Sequence, residues 1–222
     1  MLDSKVIQAV AAIVTVGAVA AMMVIESGGF APGVNPAPHR AAGTELARQA
    51  LSLMKPGGQI TVLTRDTTAF QNPASDFLLE SFQRELRRAH IGINDIQKLQ
   101  VDPLRLIEVP SGDFQRWIHH AAAGDVIVSM MGPPLLTSEQ RRQLGEIQPA
   151  IVAFCPGSWP DRMDLRPLFA QGLLRAVIMS RRDQRSAAVN SEKFDQNFAV
   201  VTAANVDDFM AAAGKSSAAK SP

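Results

Sequence analysis

The stretch GDVIVSMMGPPLLTSEQ, Gly124 to Gln140, decides the fold class of this chain. It begins with the apolar run DVIVSMM (125–131), which is typical of a strand buried on both faces at the centre of a parallel sheet. Thr137 and Gln140 then stand at the spacing of a capping box, which predicts a helix that runs to about residue 147. A buried strand, an irregular loop and a helix in this order indicate an α/β unit.

Strand and helix patterns alternate on both sides of this unit. Strands are predicted at 59–65, 96–101, 150–155 and 174–180, with an edge strand at 198–202 and a further strand or extended segment at 104–109. Helices are predicted after Asn72, Ser111, Asp164 and Asn205. The repetition predicts an α/β fold with a doubly wound, mostly parallel sheet of about five strands and helices on both faces, arranged in the flavodoxin-like manner.

The N-terminus carries VIQAVAAIVTVGAVAAMMVI (6–25), a run without a charged residue. At about 1.5 Å per residue, a helix of this length spans roughly 30 Å, the thickness of the hydrocarbon core of a bilayer. We therefore expect residues 1–25 to form a single-pass transmembrane helix. A cleavable signal peptide that ends at Ala18 and Ala20 is the alternative. Both interpretations put the remaining chain on the extracytoplasmic, periplasmic side of the membrane.

After this segment, changes in composition divide the chain into a linker, a short helix, a domain and a tail. Residues 26–43 are rich in Gly, Pro and Ala and predict a linker. Thr44 begins a short amphipathic helix within 44–58, which ends at a Lys-Pro-Gly-Gly run. The α/β domain is predicted over 59–213, and the small polar residues 214–222 predict a disordered tail.

The totals exclude several classes of function. Lys and Arg number 22 against 21 Asp and Glu, a net charge of +1, which argues against a nucleic-acid partner held by a strongly basic surface. Cys155 is the single cysteine, so neither an intrachain disulfide nor a cysteine-rich metal site can form. The chain has no tyrosine and only 5% aromatic residues, which disfavours base-stacking surfaces.

The sequence motifs of common α/β enzymes are absent. Neither G-x-G-x-x-G nor the P-loop pattern occurs, so no dinucleotide or nucleotide cofactor is predicted. Gly157-Ser158-Trp159 is not a nucleophile elbow, and no histidine follows it along the chain. His119 and His120 are neighbours on a helix and point about 100° apart, which disfavours a shared metal. We therefore expect a non-enzymatic protein without a cofactor or a metal.

Ligands of doubly wound folds bind at the carboxyl ends of the strands, so the loops that follow them carry the candidate site. The candidate ligand- or partner-binding residues are Arg65, Asp66, Phe70, Met130, Met131, Trp159, Arg181 and Arg182. The arginines could converge to hold an anion, or they could be solvated charges paired with Asp66 and Asp183. The two methionines offer a soft apolar surface, and Pro133 and Pro134 make their loop a rigid corner suited to packing or to protein contact.

Four segments carry a resemblance to a known family. They are QITVLTRD followed by Phe70, a long helix that ends in His90-Ile91-Gly92, the run AAGDVIV (122–128) and the run PAIVAF (149–154). From Gln59 to about Arg181, the chain resembles one lobe of type I periplasmic substrate-binding proteins, the sugar-binding class of ABC transporters. The resemblance implies a ligand held between two lobes by loops that here contain Asp66, Phe70, Met131 and Trp159.

The family pattern requires two lobes, and only about forty residues follow Arg181, which is too few for a second lobe. The sequence therefore favours a membrane-anchored, extracytoplasmic α/β module that serves as an accessory or scaffold subunit of a membrane-associated complex. Its expected partners are membrane proteins, and the bilayer contacts residues 6–25. The alternative is a small-molecule-binding or sensor module related to the substrate-binding proteins.

Overall fold

The computed structural model describes residues 34–69, 71–100, 108–145, 148–156, 163–181 and 194–218, with side chains through Ala212. The chain divides into two units, Met1–Val34 and Asn35–Pro222. The predicted transmembrane segment lies outside the described residues. Among the residues that are described, no helix has the length and apolar character needed to cross a membrane.

The elements of the second unit alternate as the sequence pattern predicts. The helices are α1 (Pro36–Leu53), α2 (Pro73–Arg88), α3 (Ser111–His120), α4 (Ser138–Gln143), α5 (Arg166–Ala170), α6 (Phe194–Asn197) and α7 (Val206–Ala218). The strands are β1 (Ile60–Arg65), β2 (Asp95–Leu99), β3 (Val126–Ser129), β4 (Ala150–Cys155), β5 (Leu174–Ser180) and β6 (Phe198–Thr202). The capping box before α4 is formed in full, since the side chains of Thr137 and Gln140 bond to each other's backbone N–H groups.

The strands form one mixed sheet in the order β2-β1-β3-β4-β5-β6. The first five strands of this order are parallel, and β6 runs antiparallel to β5 along one edge. The mostly parallel α/β sheet predicted from the sequence is thereby confirmed, with six strands among the described residues instead of about five. The chain reverses its direction of winding between β1 and β3, which makes this the topological switch point.

Helices cover both faces of the sheet, because successive side chains of a strand point to opposite sides. On one face, Val62, Val128 and Val152 pack with the buried sides of α1 and α2. On the other face, Leu63, Ile127 and further strand residues pack with α3, α5 and α7. The strand β3 is buried along its whole length, as its continuous apolar run predicts.

The first helix corrects the predicted domain boundaries. It begins at Pro36, inside the predicted linker 26–43, and not at Thr44. Asn35 accepts a hydrogen bond from the backbone N–H of Ala37 and caps the helix, with Pro36 in its first turn. Ala42 and Gly43 are buried. Small residues that resemble a linker in composition thus serve here to let a helix pack closely.

The C-terminal end differs from the prediction as well. Helix α7 continues to Ala218, which is inside the predicted tail of 214–222. The side chain of Asn205, predicted to cap this helix, bonds back to β6 instead: its Nδ2 donates to the Val200 carbonyl at 3.0 Å and its Oδ1 accepts from the Thr202 N–H at 2.7 Å. Most of the predicted strand at 104–109 lies outside the described residues.

Candidate functional site

The loop after β1 lies at the switch point and is organised around Asp66. The Asp66 N–H donates to the Leu99 carbonyl at 2.8 Å, which joins the ends of β1 and β2. The Asp66 Oδ1 accepts from the Thr68 N–H at 3.0 Å and from the Thr68 hydroxyl at 2.8 Å. These bonds from Thr68, with a smaller contribution from the nearby Lys98 charge, lower the pKa of Asp66 below its ordinary value. Asp66 is therefore an ionised, oriented acceptor at neutral pH.

The next residues tie this loop to the start of α2. The Thr67 hydroxyl donates to Asp76 Oδ1 at 3.1 Å, and Asp76 lies in the first turn of that helix. A positive charge acts on this carboxylate, because the exposed Lys98 pairs in register with Thr64 and its charge helps to lower the pKa of Asp66. The edge thus combines a fixed acceptor with a charged donor.

The loop after β3, which contains Met130 and Met131, packs into the hydrophobic cores on the two faces of the sheet. Met130 is 8% exposed and packs on the α1–α2 side, whereas Met131 is 1% exposed and packs on the opposite side. The Ser129 hydroxyl donates to the Gly132 carbonyl at 2.6 Å, and Gly132 has a φ of 101°, a conformation that favours glycine. Both methionines are buried, so of the two roles expected for this corner, packing and protein contact, the structure supports packing, and the methionines present no contact surface.

The structure does not bring the predicted arginines together. Arg65 ends β1 and Arg181 follows β5, and β3 and β4 lie between these strands, so their backbones are roughly 14 Å apart at ordinary strand spacing. Arg181 instead bonds to the segment that begins the edge strand. Its backbone N–H donates to the Asn197 carbonyl, and its side-chain Nε donates to the Phe198 carbonyl at 3.1 Å. Phe70, Trp159 and Arg182 lie outside the described residues.

Sequence reasoning missed a cleft on the lateral edge of the sheet. A cleft of about 430 Å³ lies along β6, and its lining residues are Arg181, Phe194, Asp195, Ala199, Val200, Asn205, Asp208 and Phe209. The residues come from β6, α6, α7 and the end of β5, four segments whose proximity depends on the antiparallel pairing of β6. Nothing in their local patterns could have indicated it.

Among the described residues, neither the cysteine nor the histidines and carboxylates form a redox site or a metal site. Cys155 is fully buried at the end of β4, and this burial raises the pKa of its thiol, which keeps it protonated and unreactive. No three His, Cys, Asp or Glu side chains in the described ranges come close enough together to hold a metal ion. His119 and His120 are both exposed on α3.

Comparison with known proteins identifies the fold. No protein-family model matches the sequence, and no curated protein matches it. Among solved structures, AraP, an arabinose-binding protein from Geobacillus stearothermophilus, is 14% identical over 77% of this chain and 63% of its own, with a TM-score of 0.51. A carbohydrate transporter solute-binding protein from Agrobacterium radiobacter in complex with D-arabinose is 11% identical over 78% of this chain and 62% of its own, with a TM-score of 0.53.

A third structure extends the same comparison. An ABC transporter solute-binding protein from Agrobacterium vitis, bound with α-D-tagatopyranose, is 17% identical over 77% of this chain and 58% of its own, with a TM-score of 0.51. This chain therefore spans less than two thirds of the length of each of these structures. It has the α/β fold of a periplasmic-binding-protein lobe, and the resemblance expected from the sequence is confirmed at the level of fold.

Proposed function

We propose that the chain is a small-molecule-binding module whose site is the carboxyl edge of the sheet at the β1–β3 switch point, and that its ligand is a sugar or a similar polyhydroxylated molecule. The observation that carries this proposal is the ionised carboxylate of Asp66, which Thr68 orients through hydrogen bonds of 2.8 and 3.0 Å and on which the Lys98 charge acts. This is the place in a doubly wound sheet where ligands bind.

The chemistry of this edge suits hydroxyl groups. A sugar hydroxyl both donates and accepts, so it is matched by a carboxylate next to an ammonium or guanidinium group. Hydrogen bonds to charged partners are the stronger ones, which makes such a pair selective for a polar ligand. Neighbours of this fold bind arabinose and tagatopyranose, which supports the choice of ligand class without identifying the sugar.

We test this proposal with a thermal-shift screen of the full chain in mild detergent against pentoses, hexoses and small organic anions. At a ligand concentration of 100 times Kd, binding stabilises by about 2.7 kcal/mol, which raises the melting temperature of a chain of this size by roughly 5–10 °C. Asp66→Asn should abolish the shift. Asp95→Asn, at the amino end of β2 and exposed, should retain it. No shift with any sugar, or the same shift in Asp66→Asn, would contradict the proposal.

We further propose that the module is tethered to the membrane on the extracytoplasmic side through residues 6–25. The support is the length and apolarity of that segment. Helix α1 is the first element of the second unit and leads into the amino end of β1.

We also propose that the chain is an accessory subunit of a membrane-associated complex, on the support of the same apolar segment, residues 6–25. A tether raises the effective concentration of the module near other membrane proteins. If the role is correct, solubilisation in mild detergent should recover the chain in a larger complex, whose members mass spectrometry identifies. Migration as a lone monomer under these conditions would contradict the accessory role and leave the ligand-binding proposal intact.

A further inference from the structure

The lateral cleft along β6 is separate from the carboxyl-edge site. Its floor is the edge strand at Ala199 and Val200, and Phe194 and Asp195 of α6 stand on one side. Asp208 and Phe209, from the first turns of α7, stand on the other. The cleft is open to solvent, since its charged lining residues are exposed, and its volume of about 430 Å³ can hold a small molecule.

The backbone of this edge strand is already engaged by side chains. Arg181 Nε donates to the Phe198 carbonyl at 3.1 Å, and Asn205 bonds both the Val200 carbonyl and the Thr202 N–H. Exposed edge strands are commonly protected in this way from pairing with another strand. The cleft is therefore poorly suited to the addition of a peptide strand, and its recognition must come from its side chains.

Those side chains carry charges of both signs. Arg181 lines the cleft together with Asp195 and Asp208, and all three side chains are exposed. The hydrogen bond from Arg181 to the Phe198 carbonyl uses Nε, which leaves its two terminal Nη groups to pair with a ligand. Phenylalanine rings complete the lining, and Phe194 packs against Phe198 with ring centroids 5.8 Å apart.

From these features we propose that the lateral cleft binds a small zwitterion, an α-amino acid with an apolar side chain. The ligand carboxylate pairs with the Nη groups of Arg181, and its ammonium group pairs with the carboxylates of Asp195 and Asp208. Its apolar side chain contacts Phe194 and Phe209. The module would then have two sites, one for a polar neutral ligand and one for an amino acid.

Isothermal titration calorimetry of the full chain in mild detergent tests this proposal with three probes of nearly equal size. L-leucine has both charges, N-acetyl-L-leucine lacks the ammonium group, and L-leucinamide lacks the carboxylate. We expect L-leucine to bind at least tenfold more tightly than either of the others. Equal affinity for the three probes, or no binding of L-leucine at millimolar concentration, would overturn the proposal.

Matched variants locate the binding. Arg181→Gln and Asp208→Asn should each weaken L-leucine binding tenfold or more. Asp207→Asn changes the adjacent exposed carboxylate in the same helical turn, which does not line the cleft, and should leave binding unchanged. Binding that is lost in Asp66→Asn but retained in Arg181→Gln would put the amino acid at the carboxyl edge and overturn the lateral site. The thermal-shift result with sugars is independent of these outcomes.

Discussion

At the residue scale, the best-defined feature of the candidate site is the Asp66–Thr68 turn. Two hydrogen bonds from Thr68 stabilise the charged form of the carboxylate, and the Lys98 charge adds to them, so the pKa of Asp66 lies below its ordinary value of 3.8. A carboxylate whose pKa is lowered by folding contributes stability above the unfolded pKa. That contribution is lost as the pH falls through the folded pKa. The turn is thus intact, and its acceptor charged, throughout the neutral range.

Replacing Thr68 with valine tests this account of the turn. Thr68→Val removes the hydroxyl donor at 2.8 Å and keeps the N–H donor at 3.0 Å, so the pKa of Asp66 should rise part of the way towards 3.8. An NMR titration of the Asp66 carboxyl carbon measures it. Thr67→Val is the matched control, because the Thr67 hydroxyl bonds Asp76 and not Asp66. A pKa of Asp66 that is the same in wild type and Thr68→Val would contradict the role of the hydroxyl.

At the element scale, the packing of α1 on α2 depends on a glycine. A Cβ built on Gly43 would lie 2.2 Å from the Leu78 carbonyl oxygen and 2.2 Å from the Ser81 hydroxyl. Ser81 is itself held on the backbone of α2, since its hydroxyl donates to the carbonyls of Phe77 and Leu78. Neither obstacle can move without moving the helix, so the two helices approach closely only because residue 43 has no side chain.

We expect Gly43→Ala to lower the free energy of unfolding by about 1–3 kcal/mol, the usual cost of overpacking a core contact. Urea denaturation followed by circular dichroism measures this. Gly112 in α3 is the control, because a Cβ there meets nothing within 4 Å. Gly112→Ala should be neutral or stabilise by up to about 1 kcal/mol, since alanine has the higher helix propensity. Equal effects of the two substitutions would show that the α1–α2 contact is not as close as described.

At the scale of the whole molecule, the described members of both cores all lie in the second unit. The first of them along the chain is Ala42. Together, the cores bury both faces of the central strands. The second unit, Asn35–Pro222, therefore has what a folded domain requires.

A truncated chain that begins at residue 34 should consequently keep its cooperative thermal transition. We expect its melting temperature to differ from that of the full chain in the same detergent by no more than about 2 °C, which corresponds to less than ~1 kcal/mol for a protein of this size. Differential scanning calorimetry of both proteins measures the difference. A much larger decrease would mean that residues 1–33 contribute to the stability of the second unit.

Local pattern alone was sufficient to predict the strands that matter most. The boundaries of β4, β5 and β6 follow directly from AIVAFC, LRAVIMS and FAVVT, and the capping box at Thr137 is formed as its spacing requires. These features depend on neighbours within a few residues, so the sequence contains their full cause. The turn in which Thr68 bonds Asp66 is also local, since its partners are two residues apart, but the sequence analysis did not predict it.

The sequence by itself thus determined that this protein is an α/β molecule with a buried, mostly parallel sheet and a loop containing Asp66 after its first strand. Only the tertiary structure decided which of its loops are neighbours. Arg65 and Arg181 both follow parallel strands, yet three strand spacings separate them, whereas Arg181 meets Asp208 in one cleft because β6 turns back along β5. Strand order depends on contacts between residues far apart in the chain, and these leave no periodic signal in any local stretch.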